Sequence, residues 1–217
     1  MIKAVLWDFG GVITTSPFEA FNRFEAANDL PKDYIRLINA TNPEYNAWAK
    51  LESNQIDVHE FDELFAQETR EMGYEVRGRQ VLELLSGDLR PEMVHALHVI
   101  KPRFKLGCIT NNVKNTGTGP GMARDAERAS HFAAIMELFD QVIESSKVGI
   151  RKPDPKIYEI ACEMLAVEPA EAVFLDDLGI NLKPARALGM KTIKVIDPAA
   201  ALDELSDHLG IELGTGR

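Results

Sequence analysis

Cysteine is scarce in this chain of 217 residues: there are two, Cys108 and Cys162. Neither has a partner at the spacing of a metal or redox motif, so nothing supports a disulfide scaffold or a zinc site. Both read as small core residues of a protein kept in a reducing compartment. Long apolar runs are lacking too. No stretch approaches the roughly 20 residues that span a bilayer, and no basic-then-apolar segment precedes the first strand-like run. A soluble, cytoplasmic protein with no membrane partner is the expectation. Basic residues are outnumbered, 24 against 34 acidic, for a formal charge of −10 at pH 7. That balance disfavours nucleic acid or an anionic membrane as a partner. It leaves room for a small phosphorylated substrate, which needs only local positive charge. Internal repeats and low-complexity blocks are missing, and nothing in the chain requires a partner subunit, so the oligomeric state stays open.

What is present is an ample core, with 45% hydrophobic residues. The chain opens on Ile2-Lys3-Ala4-Val5-Leu6-Trp7-Asp8-Phe9-Gly10-Gly11-Val12. A short, nearly continuous apolar run reads as a strand buried on both faces of a parallel sheet. Open parallel sheets bind ligands beyond the carboxyl ends of their strands, where Asp8 would stand. The two glycines let the chain leave the strand sharply. Asp8 is a nucleophile, a metal ligand or a turn anchor.

From residue 18 to about 85 no strand is expected. Phe18, Phe21 and Phe24, then Val58, Phe61, Leu64 and Phe65, recur at helical spacing, and Val81 to Leu85 closes another short helix. Further on, apolar strands are predicted at 104–109, 141–144, 172–175 and 192–196. Helices are predicted at 91–100, from about Ala123, and at 155–165, 181–188 and 199–209. A loop bearing Gly117, Gly119 and Gly121 precedes the second of these, and 145–155 reads as polar and irregular. Alternating strands and helices mean an α/β fold, a Rossmann-like parallel sheet with helices on both faces. Residues 1–15 and 88–217 would form this core, with an all-helical insertion over 16–87.

Each strand end then carries a polar residue into one crevice: Asp8, Thr110, Lys152 in the loop after the third strand, and Asp176 with Asp177. Each has an ordinary explanation alone, as a helix cap or a solvated side chain. Together they suit one chemistry. A carboxylate nucleophile forms a covalent intermediate, a hydroxyl and an ammonium hold the oxygens of the transferred group, and Mg²⁺ between Asp8 and Asp177 relieves their repulsion.

Asp8-x-Gly10-Gly11-Val12, the strand ending in Thr110-Asn111, Lys152-Pro153-Asp154-Pro155, and Phe174-Leu175-Asp176-Asp177 with Asn181 resemble the four motifs of the haloacid dehalogenase superfamily of hydrolases. The run from Phe174 to Arg186 is similar to the N-terminal phosphatase domain of soluble epoxide hydrolase. The resemblance implies Asp8 as nucleophile and metal ligand and Thr110 with Asn111 at the substrate phosphate. It implies Lys152 as the electrostatic clamp (Lys147 being the fallback), Asp177 as the second metal carboxylate, and Asp176 and Asn181 as supporting groups. It also implies that 16–87 is a helical cap, from which Arg23, Tyr45 or Trp48 could reach substrate. The chain departs from the pattern at Gly10, where family phosphatases carry a second aspartate for acid–base work; Gly10 still offers a metal its backbone carbonyl. A Mg²⁺-dependent phosphatase is the leading expectation. A metal-free dehalogenase-like hydrolase and a catalytically weak binding or regulatory protein remain open.

Overall fold

A computed structural model describes residues 1–85, 87–112 and 126–214, the side chains of residues 19 and 126–130 excepted. Among these residues one sheet is found. Its strands are β1 (Ala4–Trp7), β2 (Lys105–Thr110), β3 (Gln141–Glu144), β4 (Ala172–Asp176) and β5 (Lys191–Lys194), parallel throughout, in the order β3-β2-β1-β4-β5. The first strand is therefore central. Its residues Ala4 to Trp7 are fully buried, as the unbroken apolar run requires. Alternation sends Val5 and Trp7 to one face and Ala4 and Leu6 to the other, each inside its own apolar cluster.

On the first face lie α6 (Pro91–Ile100) and α11 (Pro198–Leu209), which contribute Leu97, Ile100, Leu202 and Leu205. On the second lie α9 (Pro155–Leu165) and α10 (Gly179–Ala187), which contribute Ile157, Tyr158, Leu182 and Ala185. Gly107 marks where α9 comes closest: a Cβ there would stand 2.5 Å from Leu6 Cδ2 and 2.8 Å from Leu165 Cδ1. The helix expected from Ala123 is seen over Ala126–Met136 (α7). Its first expected turn, and the glycine-bearing segment around Gly117, lie outside the described residues.

Between β1 and α6 the chain forms α1 (Phe18–Ala27), α2 (Tyr34–Ala40), α3 (Ala47–Glu52), α4 (Val58–Glu71) and α5 (Gly78–Glu83). They surround their own apolar cluster of Phe21, Ile35, Ile38, Leu51, Phe61, Phe65 and Val81. The helices α2 and α3 carry too few residues for their periodicity to stand out in the sequence. Tertiary contacts hold α2 in place: Asp33, which precedes it, makes no side-chain cap, and the buried carboxylate of Glu25 instead accepts from Asp33 N at 2.8 Å and Ile35 N at 2.9 Å. The connection to the sheet is a short antiparallel bridge, Thr14 with Leu89, flanked by Thr15 N to Asp88 O at 2.7 Å and Arg90 N to Ile13 O at 2.9 Å.

Beyond shifts of a residue or two at element ends, two differences from the sequence expectation in the second half have a local cause. The last strand ends at Lys194 because its pairing with β4 stops at Asp176, and Ile196 is solvent-exposed. The segment after β3 is not wholly irregular: Ser145–Val148 forms one helical turn (α8), ended by Gly149 at φ +71°.

Asp62 on α4 has a buried carboxylate that accepts Arg79 N at 2.9 Å, Arg79 Nη2 at 2.8 Å and two bonds from Arg77. Burial alone would raise its pKa, but the arginine bonds outweigh that and hold it well below the usual carboxylate range. A depressed folded-state pKa contributes stability that is present above the unfolded value near 4 and lost as pH falls below it. Asp62→Asn is expected to cost about 2 kcal/mol at pH 7 and to flatten the acid limb of thermal midpoint against pH. An unchanged acid limb would contradict this reading.

Candidate active site

The first site residue is fixed by sheet geometry. Asp8 N donates to Leu175 O at 2.8 Å, which carries the β1–β4 pairing one residue past the strand. The Asp8 carboxylate then accepts Phe9 N on Oδ1 at 2.7 Å and starts a wide turn over Phe9–Ile13. The two glycines in this turn are not equivalent. Gly10 has ordinary angles, φ −71° and ψ 127°, and a Cβ there would meet nothing within 4 Å. Gly11 sits at φ +81°, and a Cβ there would stand 2.3 Å from Asp177 Oδ2. Only Gly11 is required by the backbone. Gly11→Ala is expected to cost roughly 1–3 kcal/mol of backbone strain and to displace the Asp177 carboxylate. Thermal unfolding together with turnover reads both effects, and a variant as stable and as active as the parent would overturn this account of the turn.

Lys152 is the largest charged side chain in the interior, 1% exposed. Its ammonium bridges Asp8 Oδ1 at 2.7 Å and Asp176 Oδ2 at 2.8 Å. Asp176 is committed on both oxygens: Leu178 N donates to Oδ1 at 2.8 Å, and Asn181 Nδ2 lies 3.1 and 3.0 Å from the two. The Asn181 carbonyl in turn accepts Tyr158 Oη at 2.7 Å, tying α10 to α9. Asp177, next in the chain, is only partly buried, and Ser16 Oγ reaches its Oδ2 at a long 3.5 Å. Asp8, Asp176 and Asp177 each offer an oxygen within 4.8 Å of the others.

Three carboxylates against one ammonium leave an excess of negative charge in a low-dielectric place. Burial pushes Asp8 well above the usual carboxylate range; Lys152 opposes this and the charge of Asp176 adds to it. Burial and then Asp176 push Asp177 up to about 6. For Lys152 burial alone would lower the pKa, but Asp176 and Asp8 outweigh it, so the ammonium stays charged. The donor set fits a hard divalent cation, which takes carboxylate oxygens and would supply the missing positive charge. With Asp176 saturated, Asp8 and Asp177 are the carboxylates free to hold it.

Thr110 ends β2 and is buried at 3%. Trp7 is in register with Cys108, so Thr110 stands two residues further along the neighbouring strand, at the same sheet edge as Asp8. Asn111 faces Lys152: its Oδ1 accepts Lys152 N at 2.8 Å, and its Nδ2 donates to Lys152 O at 3.0 Å and to Glu52 Oε2 at 3.3 Å. Lys147 is exposed and paired with Glu144, away from Asp8. Tyr45 is 74% exposed, Arg23 is exposed, and Trp48 donates Nε1 to Glu52 Oε1 at 2.9 Å. The sequence reading passes over Glu52, Arg151, Ser16 and Tyr158. Only Arg151, adjacent to Lys152, carried any signal, since the others owe their place to tertiary packing.

The model of the haloacid dehalogenase-like hydrolase family matches residues 2–189. Acyl-CoA dehydrogenase family member 10 of Mus musculus is 31% identical over 220 residues, 99% of this chain and 20% of that protein. Bifunctional epoxide hydrolase 2 of Sus scrofa is 42% identical over 123 residues, 57% of this chain and 21% of that protein. The chain thus spans about a fifth of the length of either. Sesquiterpene phosphatase astK of Aspergillus oryzae is 26% identical over 213 residues, 96% of this chain and 97% of that protein. Among solved structures, a HAD family enzyme of Bacteroides thetaiotaomicron in complex with magnesium and inorganic phosphate matches with a TM-score of 0.56 at 22% identity, covering 89% of this chain and 94% of that one. With that family model matched from the first strand through α10, the chain belongs to the haloacid dehalogenase-like hydrolase family.

Proposed function

We propose that this hydrolase is a Mg²⁺-dependent phosphatase of a small phosphorylated metabolite, working through an aspartyl-phosphate on Asp8. The observation that carries the reading is the buried chain Asp8–Lys152–Asp176 with Asp177 close by, one ammonium among three carboxylates. The phosphatase named among its relatives, and the fold neighbour solved with magnesium and inorganic phosphate, support it.

Contacts from Lys152 and Phe9 N fall on Asp8 Oδ1, so Oδ2 is the oxygen presented to phosphorus. Its attack forms the O–P bond of the aspartyl-phosphate, and the bond from phosphorus to the leaving oxygen breaks with its electron pair. Water then attacks the same phosphorus, releasing phosphate and restoring the carboxylate. The Thr110 hydroxyl donates to a phosphoryl oxygen, and the Lys152 ammonium opposes the rise that burial gives the Asp8 pKa and offsets charge in the transition state. We assign Asn111 to placing Lys152, since its carboxamide is spent on that residue's backbone. A Mg²⁺ held by Asp8, Asp177 and the Gly10 carbonyl would supply Lewis-acid stabilisation of the phosphoryl oxygens. Asp176 and Asn181 support Lys152. The helices within 16–87 act as a cap over 1–15 and 88–217, joined to them at the Thr14–Leu89 bridge. With no carboxyl at Gly10, acid–base help worth roughly 10²–10⁴-fold is withdrawn from poor leaving groups. Acyl and aryl phosphates should therefore turn over faster than alkyl ones.

A cytoplasmic location belongs to the same proposal, supported by two free, buried cysteines. Among the described residues no helix is long and apolar enough to cross a membrane.

The test is phosphate release from a panel that includes acetyl phosphate, p-nitrophenyl phosphate and several sugar phosphates, with Mg²⁺ and with chelator. Release that needs the metal supports the reading. Release that is indifferent to the chelator removes the metal from it, and no release from any compound ends it.

A further inference from the structure

Glu52, the last residue of α3, is a carboxylate from the helical insertion buried to 7% exposure where that insertion meets the sheet edge. A buried charge is costly unless matched, and two of its three partners come from the sheet side. Its Oε2 accepts Asn111 Nδ2 at 3.3 Å and lies 2.9 Å from Arg151 Nε. The Arg151 N–H is not aimed at it, so this is a charge contact rather than a directed bond. Trp48 from its own helix holds the other oxygen at 2.9 Å. Arg151 makes a second link to the insertion, Nη1 donating to Pro43 O at 2.8 Å.

Both sheet-side partners adjoin site residues. Asn111 follows Thr110, and Arg151 precedes Lys152. Asn111 also brackets Lys152 from both sides of its backbone. We propose that Glu52 is a positioning residue: by docking the cap on Asn111 and Arg151 it sets the backbone that carries the Lys152 ammonium, so closure of the cap and assembly of the phosphate clamp are one event. The proposal deepens the phosphatase reading and rests on it for its kinetic part. When the cap departs, Glu52 and Arg151 both regain water, and Asn111 loses the contact that stiffens it. The Lys152 segment then has one restraint fewer, at a site where a misplacement of about 1 Å costs on the order of 10²-fold in rate.

The experiment compares the full chain with Glu52→Gln, Arg151→Gln, the double variant, and Glu44→Gln at an exposed cap position as control. Acetyl phosphate and p-nitrophenyl phosphate with Mg²⁺ serve as substrates, beside hydrogen exchange over 109–112 and 149–154. Each single variant is expected to lose roughly 10- to 100-fold in kcat with KM within about threefold. The double variant should be no worse than the poorer single, exchange should rise in both segments, and the control should match the parent. A raised KM with kcat retained would mean that Glu52 touches substrate, and it overturns the proposal. So does a loss that follows the thermal midpoint with exchange in the two segments unchanged. If the parent releases no phosphate, the phosphatase reading fails by itself. Exchange in the two segments then decides whether Glu52 couples cap to clamp.

Discussion

Asp8→Asn should leave the fold intact and reduce phosphate release on the order of 10⁵-fold, the scale expected when the group forming the covalent intermediate is lost. The substitution keeps the shape, and an Asn oxygen can still accept from Phe9 N, whose bond to Asp8 starts the turn. It removes a carboxyl group whose charged form burial and Asp176 penalise, with Lys152 only partly offsetting them. Stability should therefore change little, because one of two like charges leaves the interior while Lys152 keeps Asp176. A normal thermal midpoint with no turnover is the expected pair of results. Residual activity within tenfold of the parent would place the nucleophile elsewhere.

Lys152→Met is expected to damage both activity and stability. The ammonium is within 2.8 Å of two carboxylates and is 1% exposed. Removing one partner of a buried ion pair costs about 3–5 kcal/mol because the remaining charge is stranded, and here two carboxylates are left facing each other. Loss of one preorganised charge at the reacting group takes roughly 10²–10³-fold in kcat. The pH dependence identifies the cause. Without Lys152 the folded-state pKa of Asp8, already raised by burial, rises further, so the variant's folded state is disfavoured most above that raised value. Its deficit against the parent should shrink as pH falls toward the unfolded carboxylate value near 4. The parent's Lys152 has a folded pKa above its unfolded one, so its contribution is complete below about pH 10.5 and is lost only as pH rises further. A deficit equally large at pH 4 and pH 7 would mean that packing, not charge, is what Lys152 supplies.

Much of this molecule could be read from its sequence because parallel strands buried on both faces leave short apolar runs between turn residues, and Asp8, Thr110 and Asp176 follow or end such runs. Lys152 was legible through the motif around it rather than from periodicity. The helices α2 and α3 were not, since one is capped by Glu25 from another helix and the other, though capped by Asn46, has only six residues to carry a period. The sequence also treats Gly10 and Gly11 alike, whereas the structure separates them: the first has room for a side chain, and the second lies against Asp177. Arg151 and Glu52 come together across 99 positions, and no local pattern announces such a pair. Asn111, expected at substrate, also exchanges hydrogen bonds with the Lys152 backbone, contacts that need the loop to be folded before they can be seen.

The most direct test of the central claim is to locate the covalent intermediate. The native chain with acetyl phosphate and Mg²⁺ would be quenched in acid within milliseconds and digested, and the peptides examined for the mass of one added phosphoryl group. The account expects that mass on the peptide containing Asp8, absent in Asp8→Asn and absent when chelator replaces the metal. Phosphate released at full rate with no label on Asp8, or a label on another residue, would contradict it.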